Sequence, residues 1–126
     1  MDEATAQKRI APYQKEVLSG IYRRLATEAR QRGISPIYVF LPQVREGLWQ
    51  EDTPQALEAA EAAGFVVIDL STVYQGRPLS SIQVSDYDDH PNRLGHQLVA
   101  DRLYEALTAQ AETIFPGDRS TAAQPR

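Results

Sequence analysis

Pro36-Ile37-Tyr38-Val39-Phe40-Leu41-Pro42 places five consecutive apolar residues between two prolines. A continuous apolar run of this length, rather than an alternating one, is what a strand covered on both faces requires, as in a parallel sheet. Working outward, the segment before it is helical in pattern from Ala4 to about Arg32. Ile10, Val17, Leu18, Ile21 and Leu25 recur at three- and four-residue steps. Pro12 falls inside this run and predicts a break or kink near it. Gly33 stands where a helix C-terminal cap belongs.

On the other side, a loop carries Arg45, Glu46 and Trp49, the one tryptophan. Trp49 is placed to cap an apolar edge. Asp52 or Thr53 can cap a helix with Pro54 at its first position, running to Ala63 and closed by Gly64. Phe65-Val66-Val67-Ile68-Asp69-Leu70 is then a second strand of the buried type. Helix, glycine, strand, repeated, is the order of a parallel α/β sheet. Residues 71–85 read as irregular, with an extended piece over Leu79 to Val84. A last helix is predicted from near Asn92 to about Thr113, carrying Leu94, Leu98, Leu103 and Leu107. Residues 1–115 form one unit, and 116–126, rich in Pro, Gly, Ser, Ala and Gln, read as a disordered tail.

Two such strands make a very small parallel sheet. A lone strand pair leaves an apolar edge unpaired, whereas open sheets usually have four to six strands. The chain is therefore expected to be part of a larger sheet, completed by a missing N-terminal half or by an oligomeric partner at the sheet edge.

Bulk properties exclude several roles. With 126 residues, 42% hydrophobic and 24% charged, the chain has the size and composition of one soluble domain. A net charge of −4 supplies no basic field for phosphates, so nucleic acid is not an expected partner. No apolar run reaches the ~20 residues of a membrane helix, and no signal-peptide centre is present in the first 20 residues. The compartment is left open. The absence of cysteine removes disulfides and thiolate metal sites.

The chemistry concentrates in Asp88-Asp89-His90-Pro91-Asn92-Arg93-Leu94-Gly95-His96, acids beside a histidine on a short loop that leads into a helix. A carboxylate that orients an imidazole is half of a hydrolytic apparatus. This segment, with its terminal helix and the helix–strand order before it, resembles the last motif block of the SGNH (GDSL-type) hydrolases. The resemblance covers most of residues 20 to 110. It implies the C-terminal part of a three-layer α/β/α, flavodoxin-like domain lacking its N-terminal strands. It also implies hydrolysis of an acyl or acetyl ester on a small molecule, lipid or carbohydrate, with no cofactor. His90 matches the family's catalytic histidine, which takes the serine proton and returns it to the leaving alcohol. The family's usual acid position, three residues before the histidine, is here Tyr87. In extended backbone, side chains two apart share a side, and Pro91 biases His90 toward that geometry. Asp88 is thus preferred as the orienting acid and Asp89 is expected to point away. Asp86 lies roughly 7 Å further along per two residues unless the chain bends. His96 is expected to pack or to support the site rather than to react.

The nucleophile is missing. No Gly-Asp-Ser and no Gly-x-Ser-x-Gly occurs, and Ser19, Ser35, Ser71, Ser80, Ser81 and Ser85 all lie outside the setting of a nucleophile block. The family's Gly and Asn oxyanion blocks are equally untraceable. A calcium loop starting at Asp86 fails at Pro91 and Gln97, and two histidines six apart are not a zinc-protease pair, so no metal is expected. Competing readings are a non-catalytic interaction module, acyl transfer of the polysaccharide O-acetyltransferase type, and a metal-assisted hydrolase using Asp86, Asp88, Asp89 and His90.

Overall fold

The computed structural model describes residues 2–45 and 53–116. Trp49, Glu46, Asp52 and the predicted tail from residue 117 onward lie outside the described residues. In chain order the elements are α1 (Glu3–Gln31), β1 (Ile37–Phe40), α2 (Thr53–Ala63), β2 (Val66–Asp69), β3 (Gln83–Ser85), β4 (Asp88–Pro91), α3 (Arg93–Ala109) and α4 (Ala111–Ile114). The chain is therefore mixed α/β.

β1 and β2 pair in parallel, Ile37 opposite Val66 and Phe40 opposite Asp69, with α2 as the crossover. Both preceding helices end as expected, and for one reason. Gly33 and Gly64 adopt φ of 71° and 87°, left-handed values that other residues rarely take. At each, two amides turn back onto the last helical turn: Gly33 N to Arg30 O and Ile34 N to Ala29 O, Gly64 N to Glu61 O and Phe65 N to Ala60 O. Arg30 then fastens α1 to the end of α2, its guanidinium donating to the carbonyls of Ala63 and Gly64.

The core is small. Ala59, Ala60 and Ala63 turn inward from α2, and their short side chains let it approach the sheet, where Ile68 and Leu70 are buried. Tyr22 of α1 stacks against Tyr38 and Phe65 with ring centroids 5.3 and 5.8 Å away, and its hydroxyl donates to that of Tyr38 at 3.1 Å. Burial and the neighbouring phenol push the Tyr22 hydroxyl up to about 12. Among the described residues β1 has no strand on its other side, and Val39 in it and Leu41 just after it remain exposed. Coverage of both strand faces, expected from the apolar runs, is thus only partial for β1.

Four local expectations are corrected. α1 runs unbroken through Pro12, which it accommodates inside the helix. The lost amide bond at one position costs about 3 kcal/mol, and a long helix anchored further on by Tyr22 and the buried Ala26 absorbs it. Leu79–Ser81 form a 3-10 turn rather than an extended piece, and extension begins only at Gln83. The acid–histidine segment is not a loop but the second strand of an antiparallel hairpin, with Ser85 opposite Asp88 and Gln83 opposite Pro91. The last helix stops at Ala109, turns at Gln110 and resumes as α4. No helix among the described residues is long and apolar enough to cross a membrane.

Candidate active site

Two joints position the hairpin. The first is Asn92, the N-cap of α3, whose amide is used on both sides. Its oxygen accepts from the amides of Leu94 (2.9 Å) and Gly95 (3.1 Å), and its nitrogen donates to the carbonyls of Ser81 and Gln83, both at 3.0 Å. Its backbone amide donates to Ile82 O at 2.7 Å. The second is Gly95, over which β4 and Ile82 close down. A Cβ at 95 would meet Pro91 Cβ at 2.7 Å and the Ile82 carbonyl at 2.9 Å, and the latter is backbone that cannot swing away. The sequence gives Asn92-Arg93-Leu94-Gly95 these roles through residue type alone: an amide that both accepts and donates, then a residue without a side chain.

On this frame Asp88 and His90 meet. His90 Nδ1 lies 2.6 Å from Asp88 Oδ1, and the same oxygen accepts from the His90 backbone amide at 3.0 Å. The alternation expected from the sequence therefore places Asp88 on the imidazole, while Asp86 is exposed in the hairpin turn. The geometry fixes the ring by its Nδ1 edge. The imidazole itself is 81% exposed, against 36% for Asp88, so the opposite edge with Nε2 is open to a reacting group.

The hydrogen bond to the Asp88 carboxylate, then that group's negative charge, raises the His90 pKa above the usual 6.5, with the more distant Asp89 charge adding to it. The two hydrogen bonds from His90, backbone first, lower that of Asp88 below 3.8. The signs are opposite and complementary. The His90 contribution to stability is full below pH 6.5 and disappears as pH rises through the raised value. The Asp88 contribution is full above pH 3.8 and disappears as pH falls through the lowered value. In between, the ion pair is intact. An NMR titration of the ring protons should give His90 a midpoint above 6.5, and Asp88→Asn should bring it down. An unchanged midpoint in Asp88→Asn would disprove the partnership.

Asp89 takes a different partner. It makes no hydrogen bond with the imidazole, from which it was expected to point away, and sits 3.7 Å from Arg45, although one oxygen lies within 4.8 Å of ligand atoms of Asp88 and His90. Asp88, Asp89 and His90 are thus the donors a divalent ion would use. Each is already engaged, Asp88 with the imidazole and Asp89 with a guanidinium, so an ion would have to displace both contacts. The hydrogen-bonded arrangement is the better use of these three groups.

Sequence reasoning missed what lies beside this cluster. Gln83 of β3 donates to Val44 O at 2.7 Å, which ties the hairpin to the segment leaving β1. Arg45 follows, and with Pro42, Gln43, Ser71, Thr72, Tyr74 and Leu79 it lines a cavity of about 350 Å³. These residues leave the carboxyl ends of β1 and β2, where open parallel sheets bind ligands. That position was the available signal. Burial raises the Tyr74 phenol pKa. Among the described residues no serine hydroxyl is hydrogen-bonded to His90: Ser19 is in α1, Ser71 lines the cavity and Ser85 Oγ is buried. His96 is exposed on α3 rather than packed.

Comparison with protein-family models, with curated proteins and with solved structures finds no match to this chain.

Proposed function

We propose that this chain is the C-terminal part of an SGNH-type ester hydrolase and carries the acid–histidine half of its catalytic apparatus. The observation that supports this most directly is the Asp88 Oδ1 to His90 Nδ1 contact of 2.6 Å, held on an imidazole whose other edge is open. In this role Asp88 selects the Nδ1–H tautomer and stabilises the imidazolium. Nε2 accepts the proton of an incoming hydroxyl and returns it to the leaving alcohol. The cavity between the strand ends and Arg45 receives part of the ester, a small-molecule, lipid or carbohydrate conjugate. The nucleophilic serine and the oxyanion donors come from polypeptide that pairs with the free edge of β1 and completes the three-layer sheet. No cofactor enters this chemistry.

The test uses the protein expressed from the whole reading frame that contains these residues. A fluorophosphonate probe should label a serine outside this sequence, and p-nitrophenyl acetate turnover should persist in EDTA and depend on His90. Activity abolished by the chelator would move the reading to the metal-assisted use of Asp88 and Asp89. Turnover indifferent to His90→Ala would overturn it in favour of a non-catalytic module.

A further inference from the structure

α1 is about 43 Å long at 1.5 Å per residue, whereas the four-residue strand beside it spans about 13 Å. The helix therefore overhangs the sheet. It is anchored to the sheet by Tyr22, while Ala26 is fully buried. A second set of apolar residues, Ile10, Tyr13, Val17, Ile21 and Leu25, is half or more exposed. At 100° per residue these five fall within a sector of about 120°, centred roughly 140° around the helix from Tyr22 and Ala26. Ile10, Val17 and Ile21 border a groove with Gln55 and Ala56 of α2, and the stripe is otherwise open among the described residues.

We propose that the stripe is the interface for a second copy of this chain, formed by antiparallel packing of α1 against α1. Two observations select that occupant. The stripe is nearly symmetric about its own midpoint: Tyr13 and Ile21 lie four residues to either side of Val17, and Ile10 and Leu25 lie seven and eight away. An isologous two-fold contact needs that self-complementarity, because residue i of one copy must meet residue j of the other and j must meet i. Val17 then faces Val17 on the axis, Tyr13 faces Ile21, and Ile10 faces Leu25. The area also suffices. Each of the five side chains can remove on the order of 100 Å² from water, or about 1,000 Å² for the pair of helices. The alkyl stems of Gln14, Arg24 and Glu28 bring it to the roughly 1,200 Å² at which stable interfaces begin. An anionic lipid surface is the competing occupant: α1 carries six basic against three acidic residues, but Glu28 lies in line with the stripe and the chain as a whole has a net charge of −4.

The chain has no cysteine, so introduced thiols report the register directly. Light scattering at about 100 µM, in the affinity range of a minimal interface, should give a dimer. Val17→Glu, which puts two like charges on the axis without touching the sheet-facing side, should give a monomer with unchanged circular dichroism. Under mild oxidation Val17→Cys should form a disulfide dimer much faster than the exposed control Ser80→Cys. Ile10→Cys should cross-link with Leu25→Cys in a mixture and not with itself. A wild-type monomer overturns the proposal, as does self-linking of Ile10→Cys, which would mean a parallel pair. A monomer that binds anionic vesicles through Val17 would assign the stripe to a membrane instead.

Discussion

If the chain carries the acid–histidine half of an ester hydrolase, as proposed, ester turnover by the complete protein should fall by about 10⁴- to 10⁶-fold when His90 is replaced by alanine, and by about 10³- to 10⁴-fold for Asp88→Asn. The two losses differ because the groups do different things. In the proposed mechanism His90 moves the proton, so its removal leaves only transition-state binding by groups elsewhere. Asp88 touches only the Nδ1 edge of the ring, and asparagine in its place keeps the side chain's size while favouring the wrong tautomer. The pH profile separates a catalytic from a merely structural effect. A general base works only when neutral, so kcat/KM should rise with pH through a midpoint above the usual 6.5 in the parent enzyme. In Asp88→Asn the residual activity should rise through a lower midpoint. Equal losses in both variants with an unshifted profile would contradict the assigned roles.

The largest effect on stability is expected at Asn92, not in the apolar core. Asn92→Ala removes two bonds that cap α3 and leaves the carbonyls of Ser81 and Gln83 without their donor. Loss of an N-cap costs about 1 kcal/mol, and each part-buried carbonyl left unsatisfied adds about 1 kcal/mol or more. A total near 3 kcal/mol is a large share of the 5–15 kcal/mol that holds a typical domain together. Asn92→Asp distinguishes the two halves of the amide. It keeps the acceptor that caps the helix but turns a carboxylate toward two carbonyl oxygens, so it should be destabilised more at neutral pH than at pH 3. Urea unfolding of the three proteins at both pH values measures this. If Asn92→Asp matched the parent, the donor side of the amide would have no energetic role.

Much of this architecture is legible in residue order. Two continuous apolar runs, each preceded by a glycine that can take a positive φ, define the parallel pair without reference to tertiary contacts. Asp88 could be preferred over Asp86 because strand alternation and the proline after His90 are local rules. What was not legible is non-local or lacks a turn signature. The hairpin closes through Asp86 and Tyr87, with neither glycine nor asparagine at the turn, so nothing in the composition separates it from a loop. Arg45 meets Asp89 across 44 positions of sequence, and the cavity joins two segments that only the pairing of β1 with β2 brings together. The continuity of α1 through Pro12 depends on what anchors the helix downstream, which periodicity does not report.

The bonds that orient His90 are of short range. Asp88 is two residues away, and Asn92 reaches back nine residues to Gln83 and eleven to Ser81. The parallel strands, by contrast, join Ile37 to Val66. Small loops close in well under a microsecond and local contacts form early, whereas pairing across a long crossover is slow. During folding the imidazole should therefore acquire its carboxylate before the sheet exists. Pulse-labelled amide exchange would register this as protection of Asn92 and Gly95 ahead of Val66, and the reverse order would refute it. The orientation of the imidazole is in that sense a property of a hairpin and one turn of helix, inherited by the domain rather than conferred by it.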